Sequence, residues 1–467
     1  MVARRLGVLS GVATAGVVTA LSRGETLVPW PDRVRTLFPF AVGAVGGAAV
    51  GTAVGTAVGT VAATTLAVTT KGKSVDNAGS SSWIPALSIA GAAAGAVVAG
   101  QIGISRLIAS LMEQSRGLDE GFAVAPSNPL VSGGPESLVA LTELGREGAR
   151  FVGSVTTADD SEYVTGTARA AEPIRVFIGV DAASSVEQRV GLAMAELRRT
   201  GAFDRKYLLI EAPAGSGFAN PTPVDILEIL SGGDCAVVAI GYGLLPSFLS
   251  LGKVELAART QRLLLDAIHE ELSEAAHRPT LLLYGESLGA RVQEAAVNAG
   301  PADLDYYGIS HALWVGTPGG VASDQFHELC AGESITVDRP EQIPVAFAGA
   351  RPRVWFLEHD GDPVVRFRPD LAHRRPTWLS DGPRGRHVPT SMGWKPGITW
   401  AQVLIDTLFA TNVKPGDFQS MGHDYRADLG QVVAAAFELP LEGDAVLRLD
   451  DRLRQIEIDR AQRIAAE

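Results

Sequence analysis

The chain has 467 residues, a formal net charge of −12 and a mildly apolar composition, with 46% hydrophobic and 20% charged residues. The negative charge argues against sequence-independent nucleic-acid binding, which needs a basic surface. Two cysteines, Cys235 and Cys330, are too few for a disulfide scaffold, and we expect two buried free thiols rather than one bridge.

The first 112 residues are rich in Ala, Gly, Val and Thr and contain three uncharged stretches. These are residues 6–22, 36–70 and 77–105. A helix needs about 20 apolar residues to cross a bilayer, so the second and third are long enough and the first is marginal. We therefore predict an all-α transmembrane region over residues 1–112, with about three spans. A cleaved signal peptide is the alternative for the first stretch.

The basic residues around these stretches give a weak orientation signal. Arg4 and Arg5 favour a cytoplasmic N-terminus, whereas three arginines between residues 23 and 35 favour the opposite. We predict a multi-pass membrane protein, with a slight preference for an extracytoplasmic C-terminal domain. The oligomeric state is not encoded in any pattern that we find.

Residues 113–170 contain prolines and glycines typical of a linker, followed by a short helical pattern. From residue 171 to residue 467, apolar runs alternate with amphipathic stretches. Strands are predicted at 173–180, 206–212, 235–242, 280–284, 309–315 and 353–358, and helices at 186–199, 224–230, 254–276, 289–298 and 429–437, the last being the final helix. This alternation indicates an α/β fold with a mostly parallel sheet and helices on both faces.

The motif Gly285-Glu286-Ser287-Leu288-Gly289 fits G-x-S-x-G between a predicted strand and a predicted helix. This context is the one that a nucleophile elbow requires. The glycines permit a sharp turn that holds the Ser287 hydroxyl clear of the sheet. The amide of Leu288, at the helix start, can face a developing oxyanion. The competing interpretation is an ordinary turn in which a serine caps a helix.

A serine hydroxyl needs a base, and in this arrangement the order along the chain is Ser, then Asp or Glu, then His. Asp362 follows the predicted strand 353–358 between Gly361 and Pro363, and is our candidate acid; Asp360 is the alternative. His423 lies in a loop before the helix at 429–437 and is the candidate base. A second oxyanion donor is expected among the amides of the loop after the second strand, at Gly215, Ser216 and Gly217.

Two apolar segments, 242–249 and 314–318, could line a path for an acyl chain or could pack in the core. The sequence has no GxxxxGK[ST] phosphate loop, no HExxH and no paired CxxC. We therefore predict neither a cofactor nor a metal site.

Together these residues resemble a family of bacterial, actinobacterial-type, membrane-anchored α/β-hydrolases with an N-terminal multi-span region. The resemblance covers residues 130–440. Besides the elbow, Asp362-Pro363 and Gly422-His423, it rests on three segments of the chain: Leu144-Gly145-Arg146-Glu147-Gly148, residues 199–205 and residues 213–218. It implies an α/β-hydrolase fold, a lipid or acyl-ester substrate and either hydrolysis or acyl transfer.

The sequence thus predicts a membrane-anchored serine esterase, lipase or transacylase that works through Ser287, His423 and Asp362. The alternative is an inactive hydrolase fold that serves in membrane interaction or assembly, because a fold does not guarantee chemistry. A transporter is disfavoured, since the uncharged stretches lack the ionisable groups that transport paths usually carry.

Overall fold

The computed structural model describes residues 26–29, 109–110, 112–244, 250–347, 349–410 and 416–466. The three predicted membrane spans, 6–22, 36–70 and 77–105, lie outside these residues. Within the described ranges no helix is both long enough and apolar enough to cross a membrane.

In the described part of the chain, seven strands form one sheet in which every neighbouring pair is parallel. The spatial order is β1-β3-β2-β4-β5-β7-β6. The strands are β1 (Ile174–Ile178), β2 (Tyr207–Ala212), β3 (Cys235–Ile240), β4 (Thr280–Glu286), β5 (Ile309–Val315), β6 (Ser334–Val337) and β7 (Val354–Leu357). Every residue of β1, β2, β3 and β7 is buried, as expected of strands covered on both faces.

Helices flank the sheet, as the alternating pattern predicts. They are α1 (Leu141–Val152), α2 (Ala158–Thr165), α3 (Val186–Thr200), α4 (Pro221–Leu230), α5 (Val254–Ser273), α6 (Leu288–Ala296), α7 (Pro301–Tyr307), α8 (Val321–Cys330), α9 (Pro363–Arg366), α10 (Ile398–Leu408), α11 (Arg426–Ala436) and α12 (Ala445–Ala465). All strands run the same way, so the loops that follow them meet at one edge, the carboxyl edge. This is where ligands bind in open α/β sheets.

One sequence prediction about the elements was wrong, and several elements, including an edge strand, were not predicted. The helix predicted at 429–437 exists as α11 but is not the last one, because the 21-residue α12 follows it. The edge strand β6 was not predicted, since its four residues Ser-Ile-Thr-Val form a short, half-exposed run. The expectation for Cys235 and Cys330 is confirmed, because both are buried and free.

A buried ion cluster fastens α12 to the sheet. Arg175 of β1 is fully buried and bonds to Glu228 at 2.6 Å and to Asp225 at 2.8 Å, both on α4. Asp225 also accepts from Arg460 of α12 at 2.8 Å. Charges so far from water are tolerated only when they are paired and hydrogen-bonded, as these are.

Candidate active site

Ser287 forms the turn between β4 and α6, and its backbone has a conformation that residues other than glycine rarely adopt. Its φ is 55° and its ψ is −123°. Its N–H donates to the carbonyl of Val315, at the end of β5, at 2.8 Å. Such backbone strain costs of order 1–3 kcal/mol and persists where the surroundings enforce it.

The two glycines of the motif are required by close packing, as the sequence predicts. A Cβ on Gly289 would overlap the carbonyl oxygen of Ala212, at the end of β2. A Cβ on Gly285 would lie 2.7 Å from the nitrogen of Ala290. Leu288 is the first residue of α6, so its N–H has no acceptor within the helix. The elbow therefore places a helix N-terminus against the end of β2.

Asp362 and His423, 61 positions apart in the chain, are joined by a hydrogen bond of 2.6 Å between Nδ1 of His423 and Oδ2 of Asp362. Asp362 is fully buried and His423 is 6% exposed. Asp362 follows β7, and its Oδ1 accepts from the N–H of Val364, which caps the short helix α9. Cap and imidazole together fix the orientation of the carboxylate.

The pKa of His423 reflects two opposed effects. Burial favours the neutral ring, but the charge of Asp362 and its hydrogen bond outweigh burial, with a further contribution from Glu286, so the pKa is raised. The alternative acid, Asp360, bonds instead to Arg366 at 3.0 Å. Of the two carboxylates proposed from sequence, the structure therefore brings only Asp362 to His423.

Ser287 and His423 both adjoin the end of β5 but are not hydrogen-bonded to each other. Gly316, which follows Val315, has a φ of 57°, and a Cβ there would lie 2.7 Å from Cε1 of His423. Nε2 of His423 is buried and has no hydrogen-bond partner among the described residues. The nitrogen that would accept the serine proton is thus unoccupied. Catalytic hydrogen bonds are often long or unmade before substrate binds.

Tyr425 is a further member of this group that the sequence analysis did not identify. Its hydroxyl donates to Oδ2 of Asp362 at 2.6 Å and accepts from the N–H of His359 at 3.1 Å. Burial, and then the neighbouring Asp362 charge, raise the pKa of Tyr425 far above its ordinary value, so it remains a donor. The sequence signal that could have identified Tyr425 is its position two residues after the candidate base His423.

Comparison with known families identifies the fold. A sequence model described as an alpha/beta-hydrolase family matches residues 174–334 and 336–445, more than half of the chain. The chain belongs to the alpha/beta-hydrolase family. Searches of curated proteins and of solved structures gave no match. The family supports a hydrolase-type function for this parallel sheet and its flanking helices.

In this hydrolase the loop 213–218 holds the predicted second oxyanion donors. The amide of Gly217 is already used, since it donates to the carbonyl of Ala214 at 2.9 Å. The amides of Gly215 and Ser216 make no such bond within the described residues. The loop starts beside the elbow, where Gly289 packs on Ala212. Of the three amides predicted from sequence, that of Gly217 is therefore already engaged within the loop.

A cavity of about 310 Å³ opens beside His423. Its walls come from the 213–218 loop, the end of β4, the start of α11 and the C-terminal helix α12. They include Phe218, Asn220, Glu286, His423, Arg426, Glu457, Arg460 and Ile464. Of the two apolar segments considered from sequence, Trp314 is fully buried in the core, where it bonds to Gln293, and residues 245–249 lie outside the described residues. The helix α12, which was not predicted from sequence, therefore forms one wall of this cavity.

Glu286, which precedes Ser287, reaches the same cavity. It accepts from the hydroxyl of Tyr284 at 2.7 Å and from the side-chain amide of Asn220 at 2.5 Å. Glu211 lies near it and is fully buried; burial first, and then the Glu286 charge, raise the pKa of Glu211 well above its usual range. Burial and the neighbouring Glu286 thus both disfavour the ionised form of Glu211.

A second histidine supports the loop 416–425, which carries His423 and is called the His423 loop below. Nδ1 of His359 lies 3.0 Å from the carbonyl of Gly422, and Nε2 lies 2.7 Å from Oδ2 of Asp428. Both neighbours offer acceptor oxygens, so a contact at each ring nitrogen fixes the orientation of the ring. Asp428 also accepts from Ser420 and from Arg386. This buried network fixes the backbone next to His423.

Within the described residues, no group of three or more His, Cys, Asp or Glu side chains is arranged to hold a metal ion. The arrangement of Ser287, His423 and Asp362 combines a hydroxyl, an imidazole and a carboxylate with the backbone amide at the start of α6. It can take a proton from a hydroxyl, and it can stabilise an oxyanion at a helix N-terminus.

Proposed function

We propose that the chain is a membrane-anchored serine hydrolase that acts on acyl esters of lipids or of the cell envelope. Its activity is that of an esterase, a lipase or a transacylase. The observation that carries the proposal is the 2.6 Å hydrogen bond between His423 and Asp362, next to the strained turn at Ser287. A serine nucleophile needs an imidazole as its base, and a buried carboxylate holds that imidazole in the required tautomer and orientation.

The reaction follows from these positions. The hydroxyl oxygen of Ser287 attacks the ester carbonyl and forms a carbon–oxygen bond, while Nε2 of His423 takes the hydroxyl proton. Asp362 holds the tautomer with hydrogen on Nδ1 and stabilises the imidazolium. His423 then returns the proton to the leaving alkoxide. Water hydrolyses the acyl-enzyme, or an acceptor alcohol takes the acyl group by the same steps.

The tetrahedral intermediate carries a negative oxygen that needs hydrogen-bond donors. The amide of Leu288, at the N-terminus of α6, is one, and an amide of Gly215 or Ser216 is the second. Preorganised amides of this kind contribute roughly 3–4 kcal/mol each in acyl-transfer enzymes. Because Nε2 of His423 has no partner among the described residues, we expect substrate binding to bring the Ser287 hydroxyl to it.

The cavity beside His423 supports an ester with an apolar acyl part and a polar remainder. Phe218 and Ile464 offer apolar surface, and Arg426, Glu457 and Arg460 offer charge. Phe218 is 42% exposed, although large apolar side chains are usually buried. An exposed aromatic ring at the mouth of such a cavity suits an acyl chain that enters from outside.

The membrane anchor rests on the sequence of residues 1–112. The stretches 36–70 and 77–105 are long enough to cross a bilayer, and 6–22 is close to that length. We propose a multi-pass cell-membrane protein whose catalytic domain lies outside the cytoplasm, the side that the basic residues near the predicted spans slightly favour. Anchoring would keep the active site close to substrates that do not dissolve in water.

A fluorophosphonate probe tests the nucleophile directly, since it reacts covalently with activated serines. The full-length wild type should be labelled, and Ser287→Ala should not. Ser184→Ala, at an exposed serine, is the matched control and should be labelled like the wild type. Equal labelling of wild type and Ser287→Ala would reject Ser287 as the nucleophile.

The alternative is an inactive hydrolase fold used for membrane interaction or assembly. The observation that favours it is that Nε2 of His423 has no hydrogen-bond partner in the part of the chain that the structure describes, so the serine and the histidine are not joined. A wild type that no fluorophosphonate labels, together with a Ser287→Ala strain that behaves like wild type, would support this alternative.

A further inference from the structure

The residues 26–29 lie between the first two predicted membrane spans and pack on the hydrolase domain. Leu27 is 3% exposed and Val28 is 4% exposed. The N–H of Leu27 donates to Oδ2 of Asp406 at 2.9 Å, and Asp406 is fully buried on α10. A segment near the start of the chain is thus built into the folded domain.

This segment touches the backbone that carries His423. A Cβ on Gly422 would lie 2.7 Å from Cγ1 of Val28 and 3.1 Å from the carbonyl oxygen of Ala410. The same carbonyl accepts from the N–H of His423 at 3.1 Å. Gly422 has a φ of 63° and directly precedes His423. The chain therefore enters the predicted span 36–70 from a point beside the His423 loop.

The residues that follow the predicted span 77–105 also attach at the carboxyl edge. Arg116 pairs with Asp181, in the turn after β1, at 2.7 Å. Ser115 lines a small cleft together with Gly217, after β2, and Gly241, after β3. Both ends of the stretch 30–108 are thus fastened to the edge of the sheet that carries the candidate active site.

Chain length limits how far this edge can lie from the predicted spans. Thr36 lies seven positions after Pro29, and position 109 lies four positions after Ser105. Fully extended, these reach at most about 25 Å and about 14 Å. Two crossings, at 36–70 and 77–105, return the chain to the side from which it left. We call the contacts of Val28 and of Arg116 with the hydrolase domain the two tethers. Both tethers therefore hold the same edge close to the same face of a bilayer.

We propose that the carboxyl edge of the sheet faces the bilayer, so that the cavity beside His423 takes its acyl ester directly from the lipid surface. This orientation rests on the proposed membrane anchor and narrows the proposed substrate to a lipid in the adjoining leaflet. It uses the tethers at Val28 and at Arg116, and it does not depend on the role assigned to Ser287.

The charge at this edge complements anionic lipid headgroups. Residues 366–396 follow β7 and contain seven Arg or Lys and two Asp, and three of these arginines, Arg366, Arg368 and Arg386, pair with aspartates elsewhere in the chain. His373, Arg374 and Arg375 are exposed within this stretch. Basic residues near an anionic membrane contribute about 1 kcal/mol each to binding. The surface formed by residues 366–396 is therefore suited to a leaflet that contains anionic lipid.

Fluorescence quenching by headgroup spin labels tests the orientation. The full-length chain is placed in nanodiscs, with a fluorophore on Gln419→Cys, in the His423 loop, or on Glu274→Cys, after α5 at the opposite edge. Both native residues are exposed, whereas Cys235 and Cys330 are buried. We expect at least threefold stronger quenching at residue 419. Equal or reversed quenching would overturn the orientation, and no quenching at either site would overturn the anchor as well.

A charge variant tests the lipid partner with the same label at residue 419. Arg374→Glu with Arg375→Glu should reduce quenching about twofold in nanodiscs containing phosphatidylglycerol and leave it unchanged in pure phosphatidylcholine. Arg198→Glu with Arg259→Glu, at exposed arginines on α3 and α5, is the control and should have no effect. An unchanged signal for the first pair in anionic nanodiscs would reject the headgroup contact. Fluorophosphonate labelling, measured separately, reports on Ser287 alone.

Discussion

Tyr425 donates its hydroxyl hydrogen to Asp362 at 2.6 Å, and the oxygen that accepts it also accepts from His423. The acid therefore shares its negative charge between two donors. A carboxylate that accepts two such bonds is held in place, but it is also a weaker partner for the imidazole than a carboxylate bound to His423 alone.

Tyr425→Phe should move the pH dependence of activity. Without the phenol, the charge on Asp362 acts more fully on His423, so the pKa of His423 should rise further. Since His423 must be neutral to act as a base, the acid limb of kcat/KM should shift to higher pH. One lost buried hydrogen bond of about 1 kcal/mol predicts roughly a fivefold fall in kcat.

The pH profile of kcat/KM on a short-chain ester measures this change. Tyr163→Phe is the control, because Tyr163 is a partly exposed tyrosine that likewise bonds to an aspartate, Asp451, at 3.0 Å. It should leave the profile unchanged. An acid limb at unchanged or lower pH in Tyr425→Phe would contradict the shared-oxygen explanation.

Asp362→Asn tests the identity of the acid. In wild type the pKa of His423 is raised, so the acid limb should lie above 6.5, the ordinary value for histidine. Removing the Asp362 charge should lower that pKa, move the limb to lower pH and reduce kcat by roughly 10⁴-fold. Asp360→Asn is the matched control, since Asp360 bonds to Arg366. A larger loss in Asp360→Asn than in Asp362→Asn would transfer the role to Asp360.

Gly316→Ala should separate backbone strain from displacement of the base. The new methyl group would lie 2.7 Å from the His423 ring, at a residue with a φ of 57°. Gly308→Ala is the control, with a φ of 70° and open space around the added methyl group. Both should lose roughly 1–2 kcal/mol of stability to strain. Activity per folded molecule should fall only in Gly316→Ala. Thermal denaturation measures the loss of stability in both variants, and kcat measures the loss of activity. Equal kcat values in the two variants would refute displacement of the His423 ring by the added methyl group.

His359 should act as a positioning residue through the Gly422 carbonyl. His359→Phe removes the donor to that carbonyl, and we expect about a tenfold fall in kcat with little change in KM, because one buried acceptor is left unsatisfied. His359→Asn retains a donor near the position of Nδ1 and should restore part of kcat. His277→Phe, at an exposed histidine, is the control. Equal kcat in the Phe and Asn variants, with both folded, would argue for a purely structural role.

Much of the parallel sheet could be predicted from sequence because its strands are short apolar runs between turns. The predicted β2 and β5 match the structure to within one residue, and β4 extends two residues beyond its predicted end, to Glu286. β6 could not be predicted, because Ser334 and Thr336 give a four-residue edge strand no apolar signal. The helix α12 has few buried residues, with Leu449 and Leu453 as its buried apolar side chains, so its pattern resembles that of a charged tail.

In the candidate site, the pairing of Asp362 with His423 could be predicted from chain order and turn residues. The contributions of Tyr425 and His359 could not, because they depend on which side chains meet across 60 or more positions of chain. The loop 213–218 was located correctly after β2. The hydrogen bond from the Gly217 amide to the Ala214 carbonyl could not be predicted, because a Gly-Ser-Gly sequence is compatible with several turn geometries.

The C-terminal helix α12 has a consequence for selectivity. It walls the cavity beside His423 and is fastened by Arg460 to the buried Asp225, yet it is the last element of the described chain. Under the proposed function, a part of the molecule outside the parallel sheet would thus set the size limit on the ester. Related hydrolases that differ in this helix alone could accept bulkier alcohols or longer chains while keeping the same catalytic groups. Substrate range could in this way diverge without any change to the chemistry.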